Sequence, residues 1–182
     1  MGNFNITIDV DNIKSRKNHL LDLDSILQEA IQDGIVDFVG QLLEQLKLQL
    51  AMFGLADSEL YQSVNVTTTD TGVSIMMGSD YAMFVEYGTG VIGEAVPHPN
   101  PKHDWEYDTM GHGNHGWWYP TTDDDPNPYK RMGKDGVLRA WTMGMPSRPF
   151  MYHTWLWGSR TYSNVINKHI NIALKKLESD MR

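Results

Sequence analysis

The 182-residue chain contains no cysteine. Disulfide bonds, thiolate nucleophiles and cysteine-ligated zinc are therefore excluded. It also lacks any run of roughly 18 apolar residues, the least that carries a helix across a bilayer. The opening Met1-Gly-Asn-Phe-Asn5 has no secretory apolar segment, and Ile6 stands where a myristoylation motif takes Ser or Thr. Positive charge is scarce, with 15 Lys and Arg against 23 Asp and Glu, a net charge of -8. The resulting pI near 5.2 argues against gripping nucleic acid through phosphate neutralisation. No Gly-rich phosphate-binding loop, dinucleotide fingerprint or nucleophile-elbow serine is present. What remains, 41% hydrophobic and 21% charged, is globular in composition. These absences predict a soluble, intracellular, acidic chain forming a single domain over 1–182.

Phe4-Asn-Ile-Thr-Ile-Asp-Val10 alternates apolar and polar residues, which predicts a strand or an arm that becomes one on a neighbour. Lys14, Arg16 and Lys17 complete an N-terminal arm, 1–23, and suit an acidic neighbouring subunit better than DNA. From Ser25 to Phe53 the period turns helical. Leu27, Ile31, Ile35, Phe38, Leu42, Leu46 and Phe53 recur at near-helical steps, with Leu50 bridging the longer gap. Asp24 or Ser25 is the expected cap, Gln28 would complete a capping box, and Gly54 stands where a terminating glycine belongs. Gly34 and Gly40 interrupt the stripe, which predicts close packing or a bend there.

Ser63–Thr68 and Val73–Met77, separated by Asp70-Thr-Gly72, read as a β-hairpin. Tyr81–Tyr87 reads as a short helix stopped by Gly88-Thr-Gly90. Residues 91 to 146 then hold seven of eight prolines, four of seven histidines and four of six tryptophans. A structureless loop of that length is uncommon, so elements are expected inside it. Trp117–Tyr119 and Val137–Thr142 are the arms of a second hairpin, joined by an acidic link from Asp123 to Asp135. Phe150–Leu177 is helical again, with Val165, Ile166, Ile170, Ala173, Leu174 and Leu177 on one face.

Chemistry-bearing clusters are few. His98, His103, His112 and His115, with Asp104, Glu106 and Asp108 between them, have the residue types of a divalent-metal site. Within it, His112 and His115 have an HxxH spacing and are the candidate ligands. No HExxH helix aims both rings one way, so a metal-dependent hydrolase is the alternative and solvated loop histidines the plainer expectation. Asp123-Asp-Asp125 lacks the glycine and bidentate Glu of a calcium loop and reads as an acidic turn. The six tryptophans and eleven methionines suit either a self-made core or an interface. A Pro- and Gly-rich insertion cannot easily bury so many indoles alone, so part of the region is expected to be covered by other chains.

Tyr81-Ala-Met-Phe-Val-Glu-Tyr-Gly-Thr-Gly90 resembles the Y-A-x-x-V-E-[FY]-G-T signature of the small head–tail joining, or tail-completion, proteins of long-tailed bacteriophages. Pro146-Ser-Arg-Pro-Phe-Met151 resembles that family's second signature, a Pro-Phe turn opening the last helix. The order of elements matches as well, over about residues 24–90 and 146–180. The 91–146 segment is longer than the family's usual link and leaves open which neighbour it meets. The resemblance implies a structural virion protein assembled in the host cytoplasm, with no catalysis and no cofactor. It implies a ring of copies, usually hexameric, in the neck between head connector and tail. The partners would be stopper, terminator or tube proteins, with DNA passing through the lumen unbound and no membrane. A terminator or stopper ring is the alternative within the same class.

The fold expected is α+β, a small antiparallel sheet against a long N-terminal helix and a C-terminal helix. The core comprises 24–90 and 146–182, with an aromatic, Pro-rich insertion at 91–145. The motif residues singled out are Tyr81, Glu86, Tyr87, Gly88, Thr89, Arg148, Pro149 and Phe150, with Trp117 and Trp118 as interface residues. Tyr81, Phe84 and Val85 face inward. Glu86, an anion near a helix C-terminus, is unfavourably placed unless a cation compensates it; Arg148 is the candidate partner, and a solvated Glu86 is the alternative. Pro149 starts the last helix and Phe150 buries against the first.

Overall fold

The helical period runs further toward the N-terminus than its capping signals suggest. In the computed structural model, which describes residues 10–56, 58–69, 72–79, 81–100, 104–108 and 111–180, helix α1 spans Val10–Met52. Neither proline nor glycine falls between Val10 and Gly34, so nothing breaks the helix at Asp24 or Ser25. The expected capping box there is instead an i,i+4 pair, the Gln28 amide donating to Asp24 Oδ2 at 3.2 Å. The expected Phe4–Val10 strand falls on residues outside the described ones, except Val10, which opens α1. At the other end the glycine signal holds. Gly54 has φ 72°, Leu55 N–H donates to Leu50 O at 2.8 Å, and Gly54 N–H to Ala51 O at 2.9 Å. This is a Schellman closure.

After α1 come a one-turn helix α2 (Glu59–Gln62) and strands β1 (Val64–Thr69) and β2 (Gly72–Met77), which pair with each other. Helices α3 (Ala82–Tyr87) and α4 (Gly90–Ala95) follow, then a 3-10 turn at Gly113–His115. Strands β3 (Trp117–Pro120), β4 (Lys130–Met132) and β5 (Leu138–Thr142) precede helix α5 (Phe150–Asp180). The α+β class expected from the sequence is what the chain adopts.

The described residues form two compact units. The first holds α1 up to Leu43, the hairpin tip from Thr68 to Val73, and α5 from Gly158 onward. Here α1 and α5 run antiparallel, burying Ala30, Ile35, Phe38, Val165 and Ile166. Small residues let the helices approach. A Cβ on Gly34 would lie 2.9 Å from Ile166 Cδ1, and one on Gly158 2.8 Å from Leu42 Cδ1. Gly34 thus marks close packing, while Gly40 has nothing near it. Phe38 meets Tyr162 edge to face at 5.1 Å, and the His169 and Asp37 side chains meet at 3.0 Å. Leu174 falls outside the buried stripe, at the exposed flank of α5.

The second unit, 44–67 with 74–157, contains the main core of Leu46, Leu50, Leu60, Ala82, Val85 and Phe150. Its three-stranded antiparallel sheet has the order β3-β5-β4, with Trp118 opposite Trp141 and Lys130 opposite Ala140. The expected pairing of the two aromatic arms holds. Strand β4 is an addition: three residues between Pro128 and Gly133 are too few to show a period.

The acidic link is built into this sheet as a turn. Asp125 accepts hydrogen bonds from the Thr121 hydroxyl, from Tyr119 Oη at 2.8 Å and from Asn127 N–H at 2.8 Å. These donors, the Thr121 hydroxyl foremost, hold its carboxyl below the ordinary value of 3.8. A lowered folded-state value contributes stability above the ordinary carboxylate range that is lost as pH falls through it. Asp125→Asn is therefore expected to lose less melting temperature than the parent between about pH 5 and pH 3. Parallel melts across that window check it.

Past β5 the chain reverses at Gly144 (φ 105°), and Gly144-Met145 bridges antiparallel to Thr89-Gly90. The Thr89 and Gly90 backbone occupies the space where a Cβ on Gly144 would stand. Positive φ and this contact together make Gly144→Ala cost at least about 2 kcal/mol, read as a lowered urea midpoint. An unchanged midpoint would show that the bridge tolerates separation.

Candidate functional site

Glu86 is the last charged residue of α3, and three hydrogen bonds converge on its buried carboxylate. Oε2 accepts Met151 N–H at 2.9 Å, while Oε1 accepts Tyr152 N–H at 2.9 Å and lies 3.1 Å from His98 Nε2. Met151 and Tyr152 are in the first turn of α5, where backbone N–H groups have no partner within the helix. A carboxylate from 65 residues upstream thus caps α5 in the place a local Ser or Asp usually takes. The same N-terminal dipole stabilises the anion at the unfavourable end of its own helix.

This corrects the expected Glu86–Arg148 pair. Glu86 does need compensation, but α5 and His98 supply it. Arg148 contributes through its backbone, N–H to Val85 O at 2.9 Å. Pro149 precedes the first helical residue as expected, and Phe150 is fully buried beside Leu46 and Leu50. Tyr81 accepts Leu60 N–H on its hydroxyl at 3.2 Å, tying α3 to α2.

His98 comes from the start of the insertion, just past α4. Its Nδ1 accepts Asn100 N–H at 3.1 Å, which leaves the hydrogen on Nε2 to donate to Glu86. The ring is sandwiched among aromatics, 4.4 Å from Tyr87 and 5.2 Å from Tyr152. Tyr87 also stacks on Trp105 at 5.2 Å, Trp105 meets Phe84 at 5.8 Å, and Tyr152 stacks on Trp155 at 6.3 Å. Burial, and then the Glu86 charge, push the Tyr87 phenol above its ordinary range. The insertion is therefore stitched to the motif helix by its own rings.

Backbone contacts complete the joint. Trp105 Nε1–H donates to Gly88 O at 2.9 Å, Gly90 N–H to Tyr107 O at 2.8 Å and Ser147 N–H to Val96 O at 3.2 Å. Gly88 has φ 80°, and a Cβ there would lie 2.7 Å from Ser147 N. The first and second motifs pass so closely that only glycine fits. The Thr89 hydroxyl is buried without a hydrogen-bond partner among the described residues.

Beside the Glu86–His98 pair lies a groove of about 480 Å³, lined by Met77, Ala82, Met83, Phe150, Met151 and Trp155 among others. Trp155 is 64% exposed; Trp105, Trp117, Trp118, Trp141 and Trp157 are half-buried by this chain. Trp117 stacks on His112 at 5.1 Å, and the Arg131 guanidinium sits 3.9 Å over Trp118. These contacts cover part of the Trp117 and Trp118 indole surfaces within the chain.

The histidines do not converge. His98 faces Glu86, His112 lies against Trp117, His115 is exposed in the 3-10 turn, and His103 falls outside the described residues. Among the described residues, no three His, Asp or Glu side chains come together as a metal site. Both Glu86 oxygens are engaged by donors, so the pair acts as a clamp holding α3, the insertion and α5 together. No described helix is long and apolar enough to cross a membrane. No protein-family profile, curated protein or solved structure matches the chain.

Proposed function

We propose that the chain is a structural subunit of a long-tailed phage neck, a ring component that joins the head connector to the tail. The observation that carries this reading is the physical union of the two family-like strings. Val-Glu-Tyr-Gly-Thr at 85–89 and Arg-Pro-Phe-Met at 148–151 are joined by the Arg148–Val85 hydrogen bond and by the Glu86 cap on α5. A signature whose residues hold one joint has a physical reason to recur as a pair. In this reading the energy for function comes from interfaces multiplied by ring symmetry, without catalysis or cofactor. The net charge of -8 suits a lumen through which DNA slides without being held.

Antibody labelling of intact virions tests the placement. Gold label at the head–tail junction is expected. Label confined to the capsid or tail tip, or no label on virions, would contradict it.

A further inference from the structure

The charges of α1 are segregated along its length. Residues 10–21 carry Lys14, Arg16 and Lys17 against Asp11. From there the helix holds Asp22, Asp24, Glu29, Asp33 and Asp37, with no Lys or Arg before Lys47. The basic stretch also outruns its neighbour. Gly34 of α1 lies against Ile166 of α5, Phe38 against Tyr162 and Leu42 against Gly158. Both helices rise about 1.5 Å per residue, so this antiparallel register sets Asp180, where α5 ends, level with about Leu20. Residues 10–19 therefore have no stretch of α5 beside them. Helices draw most of their stability from packing an apolar face, and Val10, Ile13 and Leu20 recur at near-helical steps in this sequence.

The acidic stretch borders a groove of about 340 Å³ between α1 and α5. Apolar Ile172 and Leu177 line it, with three acids, Glu29, Asp33 and Asp180, and one lysine, Lys176. Ile172 is 57% exposed. The three acids are exposed and make no ion pair among the described residues, while His169, also in the lining, is occupied with Asp37. We infer that residues 10–21 of one copy dock into this groove of a second copy. Lys14, Arg16 and Lys17 meet Glu29, Asp33 and Asp180, and the apolar residues of the segment meet Ile172 and Leu177. The occupant comes from another copy because the chain's own segment belongs to the same unbroken helix as Glu29 and Asp33 and cannot turn back onto them. Opposite charges steer the encounter and fix its register. The inference rests on the self-assembly in the proposed function and names a contact that serves it. Each copy gives its first helical turns to one neighbour and receives those of another, the head-to-tail arrangement that closes a ring.

Because the full-length chain has no cysteine, cross-linking tests this without background. A copy with Ser15→Cys is mixed with a differently tagged copy with Ile172→Cys and oxidised, and the mixed disulfide dimer is followed by electrophoresis. The control pair replaces Ile172→Cys with Met52→Cys, an exposed position at the C-terminal end of α1. The segment–groove pair is expected to cross-link about tenfold faster than the control. Lys14→Glu, Arg16→Glu and Lys17→Glu in the first copy are expected to remove the excess, and Glu29→Lys with Asp33→Lys in the second copy to bring it back. Circular dichroism checks that each variant keeps its helices. Equal rates for the two pairs, or an excess that the charge swap does not restore, overturn the inference. Equal rates together with retardation of double-stranded DNA, lost on the same reversal, overturn it in favour of DNA. Equal rates with antibody label at the neck would remove this contact and spare the neck reading. Fast cross-linking with no label at the neck would do the reverse.

Discussion

Replacing Glu86 with alanine is expected to lower folding stability by about 3–5 kcal/mol, the cost of breaking a buried, multiply bonded carboxylate. The substitution strips Met151 and Tyr152 N–H of their acceptor and leaves His98 Nε2–H facing an apolar gap. For a chain of this size that corresponds to a fall in melting temperature of roughly 10 °C. His98→Ala removes one of the three donors and keeps the helix cap, so its loss should be about 1–2 kcal/mol. Thermal melts of both variants check the order. Equal losses would mean that the contact with the insertion, and not the cap on α5, carries the energy.

Phe150→Ala is expected to cost about 3–5 kcal/mol, because the side chain is fully buried where α1, α2, α3 and α5 meet. Its neighbours Leu46, Leu50, Leu60, Ala82 and Val85 come from three other helices, so no single rotamer change can fill the space. Phe150→Leu keeps most of the volume and should cost less than about 1.5 kcal/mol. Urea unfolding separates these outcomes, with the midpoint falling and the slope unchanged. Glu86 and Phe150 act on the same first turn of α5, so the double variant should lose other than the sum of the two.

The elements that could be read from the sequence are those written in local periodicity. The stripe from Leu27 to Phe53, the Gly54 stop, the 63–77 hairpin and the α5 stripe through Val165 and Ile166 all depend on neighbours within a few residues. The N-terminal reach of α1 was hidden because Asp24, Ser25 and Gln28 are as acceptable within a helix as at its start. Helix α4 was hidden because six residues opened by Gly90 and interrupted by Gly93 read as a loop. For the site, the anion's need at Glu86 was legible from its position near a helix end. Its answer was not, since His98 is 12 residues away and Met151 and Tyr152 are 65 and 66 away. Spacing cannot report a cap supplied across the fold. The structure brings the two strings, Tyr81–Gly90 and Pro146–Met151, into one joint.

The neck role itself is tested most directly by electron microscopy of particles made when this gene is disrupted. The account predicts filled heads and finished tails that fail to join, restored by the intact chain. Normal joined, infectious virions in its absence would contradict it.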